Sequence, residues 1–593
     1  MRRVLSALAV TACALGLLGL PLVGRQPAHG HAAGAPPNFV VVLTDDQRWD
    51  SIGYMPTVSA LAARNFPNGF VTTPLCCPSR SSILTGRYAH NHGVLSNNAP
   101  LGSFTKFQDT DTIATRLHNA GYRTGLFGKY LNGYGNTTLY IPPGWDTWFA
   151  FNSPLTNAPQ AYYYNYTVNA NGVQLSYGSS EADYGTDVLA TQAEQFIRTS
   201  DPRPFFVYIA PYAPHEPSIP ASRHANLFND LSPWRPPSYN EADVSDKPAW
   251  LASFPLLTPT QQSTGDTSHK NMLRSLQAVD DLLAGVIQAL QDTGQLDNTA
   301  IFFLSDNGLE WGEHRLLNHK SVPYQEAVRV PFLIAYPPLT PSRVDDPHVV
   351  LNIDLAPTML DLAGQPIPIT MDGVSLVPLL NGTATTWRTD WLEEHWSDVD
   401  QQAILPSWSA VHSLLWNYVE YDSGDRELYD LTNDPYELNN VAGQSAYASV
   451  QADRAARLAV LKGSGVAPQG RTEDGNTTRI QYTGVWKKLV SSAYSQGTAR
   501  SSATPSSTAV FSWSGTGVTV VMARDSSSGI AHILVDGVAH DIDLYSPTPQ
   551  YQQPVLMLDG LPSGAHQLQV SPSGSRNPSS KGFNVALDAI DTR

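Results

Sequence analysis

Two cysteines stand side by side at Cys76 and Cys77, followed at once by Pro78, Ser79 and Arg80. Adjacent cysteines do not make an ordinary loop-closing disulfide framework, so the pair asks for another chemical role. Pro78 suits the first turn of a helix, where the N–H it lacks would have no intrahelical acceptor. A residue just before it faces free backbone N–H groups and the positive end of the helix dipole, a setting that welcomes an anion. Two further pairs carry oxygen ligands: Asp45 with Asp46, and Asp306 with Asn307 much later in the chain. Three carboxylates and a carboxamide suit a hard cation such as Ca2+ or Mg2+. Each pair taken alone is more often a turn or a helix cap.

These residues need elements to bring them together, and the hydropathy pattern supplies them. The apolar run Asn38–Thr44 ends at Asp45 and Asp46, Pro204–Ala210 ends shortly before His215, and Ala300–Ser305 ends at Asp306. Unbroken apolar runs of this length form strands buried in a parallel sheet. Between the second and third, Met272, Leu276, Val279, Leu283, Val286 and Leu290 recur at helical spacing and predict a helix over Asn271–Asp292. Buried strands alternating with helices predict an α/β domain, whose ligands sit beyond the carboxyl ends of the strands. All three runs end there in polar residues.

Cys76 to Arg80, continued by Leu84, Thr85, Gly86 and Arg87, resembles the signature of the sulfatases, a family within the alkaline phosphatase superfamily. In that family the first cysteine of a Cys-x-Pro-Ser-Arg pentapeptide is oxidised to formylglycine. Cys76 meets the rule; Cys77 does not, because the residue two places on is Ser79. The resemblance runs from about Pro37 to Ala442. It implies an alkaline-phosphatase-like mixed sheet between helices, followed by a smaller α+β lobe. It implies one divalent cation, Ca2+ ahead of Mg2+, held by Asp45, Asp46, Asp306, Asn307 and residue 76. Arg80 matches the signature arginine, Lys129 the sulfate-binding lysine, His215 the substrate histidine and Lys320 the leaving-group cation. The implied chemistry is nucleophilic: the hydrated aldehyde attacks sulfur through one hydroxyl, and its second hydroxyl later expels sulfate. Maturation then requires a formylglycine-generating enzyme as partner.

Within the family, the run Gly128 to Tyr134, the segment Tyr140 to Asp146 and the stretch Tyr88 to His92 resemble the N-acetylglucosamine-6-sulfatase branch. Many members carry a histidine two places after the lysine; here that place is Leu131, followed by Asn132. No role is carried over to it. His90 and His92 are equally pocket-lining residues or surface residues after a helix. The substrate implied is a sulfated sugar, with 6-sulfated glucosamine units foremost. A general arylsulfatase, a phosphate or phosphonate monoester hydrolase and a non-catalytic carbohydrate-binding surface protein are the alternatives.

The rest of the chain fits an exported enzyme. Arg2 and Arg3 precede an apolar stretch, Val4 to Val23, interrupted by Gly16, Gly19 and Pro21 and followed by a small-residue run. Residues 1–34 therefore read as a signal peptide, with no stable membrane span after its cleavage, and the location expected is extracellular. Of 36 basic residues three lie in that leader, so the mature chain sets 33 against 52 acidic groups, a net charge of −19. That balance argues against a nucleic-acid partner. Only 15% of residues are charged, against about 25% in typical globular proteins. The expected organisation is an α/β catalytic domain over 35–380, the α+β lobe over 381–462, a linker over 463–478, and a β-sandwich over 479–593 built of short alternating strands. Trp486, Trp513 and Tyr545 in that sandwich are more often core residues than sugar-stacking ones.

Overall fold

The computed structural model describes residues 36–135, 138–152, 162–384, 387–397, 405–463, 470–491 and 493–592. The expected leader lies outside them. The strand Asn38–Thr44 is buried along its whole length, as its unbroken apolar run requires. It is hydrogen-bonded in parallel to Thr299–Ser305 on one side and Phe205–Ala210 on the other, and Arg123–Gly128 and Thr147–Phe151 continue the parallel set. Antiparallel neighbours flank this centre, so the ten-stranded sheet is mixed. Phe39, Val41 and Leu43 face one core while Val40 and Val42 face the other, the period-two alternation of a strand covered on both faces. Ile83 and Leu84 of the helix Cys76–Thr85 and Leu355 to Leu360 of the helix Leu355–Leu362 fill the first core; the helices Gly185–Arg198 and Pro259–Asp292 fill the second. This is the α/β architecture expected.

The helix expected over Asn271–Asp292 begins twelve residues earlier, at Pro259. Thr258 caps it, its hydroxyl accepting from the Gln261 N–H while the Gln261 side chain accepts from the Thr258 N–H. The added turns are polar, so an apolar pattern could not reveal them; the cap could.

Four antiparallel strands, Asp390–His395, Trp408–Ser413, Trp416–Tyr421 and Arg426–Asp430, form a second sheet with the helix Ala448–Gly463 against it. Glu427 ties it to the first layer by accepting hydrogen bonds from Tyr324, Tyr421 and Tyr429, all buried. The nine strands after the helix Ala448–Gly463 form one connected antiparallel network. The segments Ala509–Trp513 and Val518–Met522 belong to a single strand, Thr508–Arg524, whose pairing slips at Gly515 and Gly517. There a β-bulge carries one long strand through a region expected to hold short ones. Trp513 is core; Trp486 packs on it, its indole N–H bonded to backbone carbonyls. The stretch 463–478 is not linker throughout: Gly470–Glu473 is a strand paired with Val585–Thr592. Among the described residues, no helix is long and apolar enough to cross a membrane.

One packing detail gives a pH test. His92 is buried, its Nε2 3.0 Å from Ser82 Oγ in the helix Cys76–Thr85 and its Nδ1 accepting the Val94 N–H. The ring is therefore neutral with Nε2 protonated, and burial pushes its pKa down to about 3 from 6.5. In the unfolded chain the same ring takes up a proton near pH 6.5, so His92 costs stability as pH falls from about 6.5 towards 4. The gap in melting temperature between wild type and His92→Gln should narrow over that interval; a gap constant with pH contradicts the assignment.

Candidate active site

Sheet register builds the centre of the site. Leu43 pairs with Leu304 and Thr44 with Ser305, so the two chains leave the sheet side by side. Asp45 and Asp46 thereby meet Asp306 and Asn307: the Asp46 N–H donates to Asp306 Oδ1 at 3.1 Å, and Asn307 Nδ2 donates to Asp46 Oδ1 at 2.6 Å. Asp46 adopts φ 65, a left-handed conformation that Asp tolerates better than most residues. The neighbouring strand Arg123–Gly128 ends level with Ala210, and Lys129 follows, its N–H donating to the Ala210 carbonyl. Gly128 is required there, because its φ is 118 and a Cβ would lie 2.1 Å from the Ala210 oxygen.

The helix Cys76–Thr85 meets this edge with its N-terminus, and all ten of its residues are buried. Cys76 is its first residue, while the Cys77 N–H is capped by Asn97 Oδ1 at 2.8 Å. Cys76 Sγ lies 3.7 Å from Asp45 Oδ1 and accepts from Lys320 Nζ at 2.9 Å. Lys320 Nζ also reaches Asp46 Oδ1 at 2.5 Å, and Lys129 Nζ reaches Asp45 Oδ2 at 2.5 Å. One turn along the helix, Arg80 donates to Asp306 Oδ2 at 2.7 Å and to the Lys129 carbonyl at 3.1 Å. Its Nη2 stands 3.4 Å from Asp45 and makes no hydrogen bond. His215 follows the strand Phe205–Ala210; its Nδ1 is 2.8 Å from the Glu216 carbonyl, and its Nε2 is 3.5 Å from Asp46 Oδ2. Asp45, Asp46, Cys76, Arg80, Lys129, His215, Asp306, Asn307 and Lys320 thus stand in one cluster.

The electrostatics follow from burial and these distances. Burial pushes the Asp45 carboxyl up, but Lys129, His215, Arg80 and Lys320 outweigh it and hold the group well below the usual range. Burial draws the Lys129 and Lys320 ammonium groups down, and the Asp45 and Asp46 charges respectively more than restore them. His215 behaves alike: burial lowers it, Asp46 and Asp45 raise it further, and the net shift is upward. An upward shift favours the charged imidazolium, the form that can give up a proton. Asp45, Asp46 and Asp306 match Arg80, Lys129 and Lys320 in formal charge, and His215 adds a further positive charge when protonated, so a cation entering among the carboxylates would leave the site net positive.

The donor set bears on such a cation. Ligand atoms of Asp45, Asp46, Cys76 and His215 all lie within 4.8 Å of one another. Asn307 Oδ1 is buried with no hydrogen-bond partner, although its own amide nitrogen is satisfied twice. An orphaned carbonyl oxygen beside carboxylates is the environment a hard cation satisfies. The residues present therefore fit Ca2+ or Mg2+.

Sequence reasoning missed Arg48. This buried guanidinium pairs with Glu313 at 2.6 Å and Asp50 at 2.7 Å and lies against Trp49, Trp234 and Trp311. It clamps the chain just after Asp46 to the loop just after Asn307. Its position behind two aspartates was the only hint, since its partners lie far along the chain. Of the two uncertain histidines, His92 is structural and His90 pairs with Glu394 of the four-stranded sheet at 2.5 Å.

A mixed sheet whose central parallel strands present a cysteine-led helix, buried carboxylates and fixed cations at their ends is the arrangement of sulfatase-type α/β proteins. The chain belongs to the Sulfatase family, which matches residues 37–365; residues 312–463 match the N-sulphoglucosamine sulphohydrolase C-terminal family. It is 34% identical over 481 residues to human N-acetylglucosamine-6-sulfatase, covering 72% of this chain and 85% of the human one. It is 39% identical over 367 residues to the extracellular sulfatase SULF-1 homolog of Drosophila melanogaster, covering 60% of this chain. The chain spans about a third of that relative's length, the match covering 32% of it. In fold it resembles a solved protein in complex with its substrate D-glucosamine-2-N,6-O-disulfate, with TM-score 0.61, 23% identity and coverage of 72% of this chain and 97% of the other.

Proposed function

We propose that the protein is an extracellular sulfatase that hydrolyses sulfate esters of sugars, N-acetylglucosamine-6-sulfate foremost, with formylglycine made from Cys76 by a separate maturing enzyme. The observation that carries the reading is Cys76 at a helix N-terminus, 2.9 Å from Lys320 and 3.7 Å from Asp45. In mature form, residue 76 would supply one hydroxyl for attack on sulfur and another for release of sulfate. A Ca2+ ion held by Asp45, Asp46, Asp306, Asn307 and residue 76 would supply positive charge beside the attacking oxygen and the sulfate. The names of the human and fly relatives support the substrate class and the location. Residues 1–34 serve as signal peptide, and residues 479–593 as an accessory domain beyond the matched region.

The chain's own side chains then divide the work. Lys129 and Arg80, fixed by Asp45 and Asp306, hold the sulfate oxygens by charge-assisted hydrogen bonds. Lys320 holds the residue-76 side chain and faces the ester. His215, with Nδ1 fixed by the Glu216 carbonyl, presents Nε2 to the leaving oxygen as a proton donor.

The direct test is product release from N-acetylglucosamine-6-sulfate, nitrophenyl sulfate and nitrophenyl phosphate. Sulfate release should dominate, and faster phosphate release would overturn the reading. His215→Ala should lower kcat/KM for the sugar ester by ~10²–10⁴-fold, as loss of a general acid does. For nitrophenyl sulfate, whose leaving group needs little protonation, the loss should be at least about tenfold smaller. Equal losses would refute the acid role.

A further inference from the structure

Two side chains beside the site have no part in the chemistry above. Glu216 follows His215 directly, and Asn318 stands two places before Lys320 on the hairpin formed by Glu310–Trp311 and Leu317–His319. Asn318 Nδ2 donates to Glu216 Oε1, joining the loop of the proton donor to the loop of the leaving-group cation. Asn318 takes a left-handed φ of 57, and its Oδ1 is buried without a hydrogen-bond partner. Glu216 is exposed, and its carboxylate lies within electrostatic reach of Asp46, His215 and Lys320. Asn adopts this conformation more readily than most residues, and the bond to Glu216 holds its side chain across the two loops.

We propose that Glu216 and Asn318 form the subsite that takes the hydroxyl groups of the sugar ring flanking the sulfate ester, an assignment that rests on the sulfatase reading. A carboxylate oxygen and an unmatched carboxamide oxygen offer acceptors to an incoming ligand, so they bind O–H donors. The same carboxylate repels a sulfate or carboxylate placed at that edge of the ring, which adds rejection to attraction. An aryl sulfate offers no donor there and gains nothing from the pair.

The test uses the full-length, matured protein with N-acetylglucosamine-6-sulfate and nitrophenyl sulfate as probes. Glu216→Ala and Asn318→Ala should each shift the ratio of kcat/KM values towards the aryl ester by about 10–100-fold, the scale of a lost charge-assisted or buried hydrogen bond. Free N-acetylglucosamine should compete with the aryl ester in the wild type and compete about tenfold less well in Glu216→Ala. Equal losses on both esters, or an unchanged ratio with unchanged competition, overturn the subsite while leaving the sulfatase reading intact. A wild-type protein that releases sulfate from neither ester overturns both.

Discussion

Cys76→Ala should lose turnover on every sulfate ester by on the order of 10⁵-fold, the scale seen when a covalent nucleophile is deleted and only binding and electrostatics remain. The fold should survive it. The Cys76 thiol touches Lys320 and Asp45, but each keeps another partner: Lys320 retains Asp46 at 2.5 Å and Asp45 retains Lys129 at 2.5 Å. The variant should therefore melt close to the wild type and still bind a sulfated sugar through Lys129, Arg80 and Lys320. Cys77→Ala serves as the comparison, since that thiol is buried and pushed up to about 12 by burial. It makes no nucleophile, and its replacement should cost packing rather than chemistry. A Cys76→Ala protein with substantial turnover would remove the nucleophile from the account.

Removing divalent cations should abolish turnover and lower the melting temperature together, and Ca2+ should restore both. Asp45, Asp46 and Asp306 are fully or almost fully buried, and burying charge is costly unless it is compensated. Arg80, Lys129 and Lys320 offset three negative charges but leave the Asn307 carbonyl oxygen unmatched. A cation that binds only the folded protein contributes about 2.7 kcal/mol at a hundred times its Kd, so chelation should lower the melting temperature of a chain this long by about 2–3 °C. Asn307→Ala should raise the Ca2+ concentration needed for half-maximal turnover by about 10–100-fold. Full turnover and an unchanged melting temperature after exhaustive chelation would contradict the cation site.

Much of this was legible in the sequence because the site lies at strand ends. Asn38–Thr44 and Thr299–Ser305 read as buried strands from apolar runs alone, and their parallel pairing brings Asp45 to Asp306 without further information. Cys76 and Arg80 were legible because one helix fixes their spacing. The illegible parts depend on contacts that no local pattern records. Arg48 is held by Glu313, and the Asn318 bond to Glu216 joins loops 102 residues apart in the chain. The polar first turns of Pro259–Asp292 carried no apolar stripe, and the region around Gly515 and Gly517 read as short strands although a bulge carries one long strand through it. In each case a tertiary partner decided what local propensity left open.

The most direct measurement is the mass of the tryptic peptide Asn65 to Arg80, from protein made by a cell that possesses the maturing enzyme. Residue 76 should have lost its sulfur and carry an aldehyde, which a carbonyl-reactive hydrazine labels, while Cys77 remains alkylatable as a thiol. A peptide with two intact thiols, in a preparation that releases sulfate at full rate, would contradict it.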